Sequence, residues 1–176
     1  MRLAFITPLA AALLLAGCGS QDGVNAKNAS PGDVATKLAP GHNTPDPGRW
    51  RWTSKIEKMD IAGLLPDERD AIGKPTIVLT CVTSETAGQV HVEAFQKGMD
   101  GCTYDYFTMH RGVLDAGLTC VQGGRQDKMA MTGTYSPADY QITTNSRVEI
   151  RPGVAGEAIR SLEGMRVGEC DGSENK

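Results

Sequence analysis

Five cysteines and three histidines are the residues of this 176-residue chain with the most reactive chemistry to offer. Cys81, Cys102, Cys120 and Cys170 form an even set once Cys18 is set aside. No pair of them has the Cys-x-x-Cys spacing of a redox or zinc-thiolate site. An even set points instead to two disulfides, and so to an oxidising compartment. His42, His91 and His110 lie far apart with no His-x-x-x-His pairing, which announces neither a metal site nor a general base. No serine stands in Gly-x-Ser-x-Gly. Gly117 and the Gly123-Gly124-Arg125 run lack the order of a phosphate loop and read as turn chemistry. Asp67-Glu68-Arg69-Asp70 lacks the spacing of a calcium loop. No catalytic residue, metal ligand or cofactor is assigned, and the expectation is a protein that is not an enzyme.

Cys18 stands apart because of what precedes it. Met1-Arg2 leads into an apolar run from Leu3 to Ala16 that closes on Leu15-Ala16-Gly17-Cys18. A bilayer-spanning helix needs roughly twenty apolar residues, so this shorter run reads as the core of a secretory signal peptide over residues 1–17. Its last four residues form a lipobox and resemble those of bacterial lipoproteins. That resemblance implies a diacylglyceryl thioether on Cys18 and an N-acyl chain of the palmitate type. Gly19 follows where Asp would signal inner-membrane retention, which by the same analogy implies the outer membrane, facing the periplasm. The membrane is thus one expected partner, through Cys18. With 18 basic residues against 21 acidic and no basic cluster, nucleic acid is not expected.

Residues 18–46 are rich in Gly, Ala, Asn, Asp, Ser and Pro and read as the lipidated Cys18 with a disordered tether, in which Val34 to Leu38 offers at most one marginal helical turn. The folded part is expected over residues 47–170, with a polar tail at 171–176. Arg49-Trp50-Arg51-Trp52-Thr53 alternates with period two, which puts both tryptophans on one face of a strand. Thr76 to Val82 is rich in β-branched residues and predicts a second strand. Thr83 or Ser84 could cap a helix running to about Lys97. Cys102 to Met109 and Val113 to Val121 form a hairpin about His110-Arg111-Gly112. A turn centred on Arg111 opposes residues 102 and 120, so Cys102–Cys120 is the expected bridge, and Cys81–Cys170 is what remains. Lys128 to Tyr135 and Tyr140 to Ile150 form a second hairpin, with Met129, Met131 and Tyr135 on one face. Periodicity leaves Ala158 to Glu163 as either strand or short helix.

The expected fold is α+β and mostly β: a single curved antiparallel sheet of about six strands, one helix after Cys81, and two disulfides. A small closed β-barrel is the alternative. Landmarks in order are Pro47-Gly48-Arg49-Trp50, Cys81-Val82-Thr83, the Cys102 and Cys120 pair about a glycine-containing hairpin, Met131-Thr132-Gly133-Thr134-Tyr135, and Arg166-Val167-Gly168-Glu169-Cys170. Over about residues 47–170 these resemble the bacterial envelope family catalogued as domain of unknown function 3617. The resemblance implies a small exported, often lipid-anchored domain and brings no activity with it. Trp52, Tyr104, Tyr106, Tyr135 and Tyr140 are candidates for a ligand face, since tyrosines offer stacking surface with polar tips. The leading expectation is a periplasm-facing lipoprotein that binds an envelope protein or ligand. A lipid or small-ligand carrier and an uncharacterised hydrolase are the alternatives.

Overall fold

The structure, a computed structural model, describes residues 23–38, 44–87, 99–122 and 124–174. The strands are β1 (Gly23–Ala29), β2 (Gly48–Asp60), β3 (Pro75–Val82), β4 (Cys102–His110), β5 (Val113–Gln122), β6 (Arg125–Tyr135), β7 (Asp139–Arg151) and β8 (Val154–Gly168). All pair antiparallel in one sheet of order β1-β4-β5-β6-β7-β8-β2-β3. Among the described residues β1 and β3 are open edges, so the sheet is not closed and the barrel alternative falls. Eight strands replace the six expected. The two additions are β8, which absorbs residues 158–163, and β1.

β1 corrects the reading of residues 18–46 as a wholly disordered tether. It pairs along β4 from Gly23 opposite His110 to Ala29 opposite Tyr104. A helix, α1 (Pro31–Leu38), follows it and buries Val34, Ala35 and Leu38. Its start is capped reciprocally: the Asp33 backbone N–H donates to Ser30 Oγ at 3.1 Å, while Ser30 N–H and Oγ–H donate back to Asp33 Oδ2. Eight residues would be marginal as a free helix. Three of them buried against the sheet supply what propensity lacks. Residues 1–22, which hold the expected signal peptide and Cys18, lie outside the described residues.

The hairpin of β4 and β5 turns through Arg111 and Gly112, both at positive φ (50° and 77°). That is the two-residue turn whose twist suits antiparallel strands. A turn at this place alone would oppose Cys102 with Val121. A β-bulge between Tyr104 and Tyr106 inserts Asp105 and shifts the register by one, bringing Cys102 opposite Cys120. Both expected disulfides are present, Cys102–Cys120 and Cys81–Cys170, with Cα atoms 3.9 and 5.5 Å apart.

Alternating residues of the strands, interrupted at Asn28 of β1 and at the β4 bulge, face one side of the sheet, and the buried apolar cluster runs from Ala26 on β1 through Phe107, Leu114, Met131 and Tyr140 to Trp50 and Val82. Of the helix expected after Cys81, the first turn lies among the described residues. There the Thr86 N–H donates to Thr83 Oγ1, the Thr83 N–H donates to Thr86 Oγ1, and the Ala87 N–H reaches the Thr83 carbonyl at 2.9 Å. Residues 88–98 lie outside them. The second described helix, α2 (Pro66–Asp70), interrupts the connection from β2 to β3.

The chain-entropy model gives about 3 kcal/mol for a loop the size of the 102–120 span and about 4.6 kcal/mol for the 81–170 span. Replacing both cysteines of one bridge by serine is therefore expected to lower unfolding free energy in urea, and more for the Cys81–Cys170 pair. Equal losses, or a larger loss for Cys102–Cys120, would contradict the assignment of Cys81–Cys170 as the principal staple.

Candidate functional site

The expected aromatic face divides when its strands are laid side by side. Trp50 and Trp52 stack on one another with centroids 5.4 Å apart, and Tyr140 lies 6.2 Å from the Trp52 ring. Tyr135, directly opposite Tyr140 in register, is 6.4 Å from it. Gly164 on β8 makes this cluster possible: it is opposite both Trp52 and Tyr140, and a Cβ there would collide with the Trp52 ring. Trp52 Nε1 donates to Thr80 Oγ1 at 2.9 Å, and Trp50 Nε1 to the Asp46 carbonyl at 2.8 Å. The indole dipoles are thus satisfied within the fold.

Tyr104 belongs to the same inner face but packs elsewhere, edge-on against Phe107 at 5.2 Å. Tyr106 does not belong to it. Strict alternation groups it with Tyr104, but the extra residue Asp105 reverses its side and leaves it 40% exposed on the outer face. There its hydroxyl donates to Asp115, and its ring lies over Gly117, where a Cβ would come within 2.6 Å. Trp52, Tyr135 and Tyr140 therefore come together, Tyr104 is core, and Tyr106 is on the other side. Tyr104 and Tyr140 are buried, so these rings fill the inside of the sheet rather than line an open groove.

The open space lies further along the same face. An open cleft of about 350 Å³, exposed at every lining residue but Ile56, is bounded by Ser54 and Ile56 of β2, Thr76 at the start of β3, Arg160 of β8, and Ala71, Lys74 and Pro75 of the connection after α2. This volume falls within the usual range for small-ligand sites. The register explains the grouping. Ser54 is opposite Thr76 on one side and Leu162 on the other, while Ile56 is opposite Arg160. The connection is drawn over them by one hydrogen bond. Pro75 has no N–H to extend the ladder, and the Gly73 N–H donates instead to the Ile56 carbonyl at 2.8 Å. Gly73 makes that approach at φ 81°, a conformation open to glycine at no steric cost.

The electrostatics of this cavity are one-signed. No carboxylate lines it. The nearest acid on β2, Glu57, is the extra residue of a second bulge. It points its carboxylate at Lys55 and the Ser161 hydroxyl, whose hydrogen bonds hold its pKa below the ordinary range. Four other arginines are engaged: Arg151 with Glu68, Arg125 with Glu149 and Asp127, Arg49 with Asp171, Arg166 with Glu169; Arg51, Arg69, Arg111 and Arg147 make no ion pair among the described residues. Arg160 and Lys74 make no ion pair or side-chain hydrogen bond among the described residues. Two unpaired cations and two hydroxyls thus converge on one cavity, a set suited to binding an anion. Reading the sequence by reactive motif missed it. The available signal was Arg160 itself, a cation on the inward parity between Ala158 and Leu162.

Among the described residues no group of His, Cys, Asp and Glu could hold a metal ion. His110 is exposed at the end of β4, and His42 and His91 lie outside the described residues.

A twice-stapled single-sheet β-domain, filled with aromatic side chains at one end of its inner face and hollow at the other, is the class these features define. The chain belongs to the family described as Protein of unknown function (DUF3617), whose model matches residues 45–170. No curated protein and no solved structure matches the chain. β1 and α1 precede the matched segment.

Two measurements check this packing. Gly164→Ala is expected to displace the Trp52 ring, alter tryptophan emission and cost about 1–3 kcal/mol, the usual range for overpacking; unchanged emission and stability would disprove the contact. Burial pushes the phenols of Tyr104, Tyr135 and Tyr140 up, and burial with the Asp115 charge pushes Tyr106 up. The unfolded chain then ionises first, so stability falls as pH rises past the ordinary value of about 10. An alkaline spectrophotometric titration should show no tyrosine ionising at its ordinary pKa until the chain unfolds.

Proposed function

We propose that the protein is a lipid-anchored lipoprotein of the bacterial cell envelope, facing the periplasm from the outer membrane, and that it acts there as a non-enzymatic binding module. The anchor rests on Leu15-Ala16-Gly17-Cys18 after a short apolar leader. The two disulfides support an oxidising compartment. The binding role is carried by one observation, the cavity beside Arg160 and Lys74. A carrier role for a small amphipathic ligand draws support from the same place, because Leu162 and then Trp52 follow Ser54 along the inner face.

Labelled palmitate fed to cells expressing the full chain tests the anchor. Incorporation and membrane fractionation are expected for the natural sequence, and both should be lost in Cys18→Ala. Label retained in that variant, or a natural chain recovered in the soluble fraction, would overturn the anchor. Turnover of a generic ester, glycosidic or peptide substrate, abolished by changing one polar residue, would replace the binding reading with an enzymatic one.

A further inference from the structure

We infer that the cavity between β2, β3, β8 and the connection after α2 is a binding site for a phosphate-class anion, either free or as the head of a short amphipathic lipid. This deepens the binding-module reading and rests on it.

The donors fit that ligand by kind and by place. Arg160 offers a planar fork that matches two phosphate oxygens, and Lys74 offers a compact ammonium. Ser54 and Thr76, opposite one another across β2 and β3, add two hydroxyls. A phosphomonoester carries close to two negative charges and three strong acceptor oxygens at neutral pH. Two cations and two hydroxyls without a competing carboxylate meet that demand, whereas a neutral ligand would leave both cations unpaired.

The surroundings say why a cation should be kept unpaired here. Glu57, the acid closest in sequence to Ile56, is turned to the outer face by the bulge and bound to Lys55 and Ser161. Glu68 of α2 is bound to Arg151 and to the Leu65 N–H. The fold thus engages these two carboxylates elsewhere, and no carboxylate lines the cleft itself. The apolar side is equally directional. Ile56, Pro75 and Ala71 form the wall, and Leu162, Val78 and Trp52 continue inward along the same face. Val78 is half exposed, so acyl carbons have surface to cover next to the anionic head.

The test uses the full chain purified with its lipid in a neutral detergent. The probes are inorganic phosphate, dihexanoyl phosphatidate, and dihexanoyl phosphatidylcholine as a zwitterionic control. Calorimetry and tryptophan emission are the readouts. Phosphatidate is expected to bind, at least tenfold more weakly to Arg160→Gln or Lys74→Gln and not measurably to the double variant, with phosphatidylcholine inert. Both side chains are exposed and unpaired, so the variants should unfold at the same temperature as the natural chain. Phosphatidate tighter than inorganic phosphate, with an emission shift from Trp52, assigns the ligand as a lipid head. Equal affinity for the two, with the same dependence on Arg160 and Lys74, assigns it as the free anion. Binding of neither, or binding unchanged in the double variant, overturns the site. If palmitate labelling at Cys18 stands while no anion binds, this site alone fails. If phosphatidate binds and is hydrolysed, the site stands and the non-enzymatic reading fails.

Discussion

Asp105 occupies one more place in β4 than β5 has to offer, and a single sheet with one buried face makes that surplus decisive. Period-two alternation fixes the side of every side chain, so one inserted residue reverses all that follow it on its strand. The reversal lets a tight Arg111-Gly112 turn coexist with a disulfide between directly opposed Cys102 and Cys120. It also keeps Tyr104 and Phe107 both inward, which strict alternation over three positions would forbid. Thr119 Oγ1 donates to the Asp105 carboxylate at 2.9 Å and ties the bulge down. Tyr106 is displaced outward as a result, and Gly117 across from it provides the room its ring needs.

Much of this architecture is written locally. Trp50 and Trp52, or Met129, Met131 and Tyr135, declare their common face by spacing alone, and Arg111-Gly112 declares its turn. β1 is less legible because Gly23 to Ala29 has the composition of a linker, and its strand state depends on a β4 edge eighty residues away in sequence terms only the fold reveals. The same holds for α1: Val34 and Leu38 make a weak signal until a sheet is placed beneath them. The cavity is least legible of all. Arg160 and Lys74 belong to β8 and to an irregular connection, and only the order β8-β2-β3 makes them neighbours.

Ion pairs form on both faces of the sheet. Lys55 and Arg49 on the outer face, and Arg125 on the inward register of β6, find carboxylates beside them at side chains that remain partly in water. Such pairs contribute little to stability individually. They leave Arg160 and Lys74 with no carboxylate partner among the described residues. At the aromatic end the indole N–H groups are met by Asp46 and Thr80, while the Tyr135 hydroxyl is buried without a hydrogen-bond partner among the described residues.

The docking of β1 bears on how such a domain would stand at a membrane. Gly23 meets His110 beside the β4–β5 turn, so only four residues separate Cys18 from the first strand. An extended chain covers at most roughly 18 Å over that interval. With Cys18 acylated, this end of the sheet would be held on a short leash against the headgroups. From Gly48 at that same end, β2 runs roughly 25 Å before reaching Ile56. The cleft beside Arg160 and Lys74 would then lie at the end of the sheet farther from the anchor.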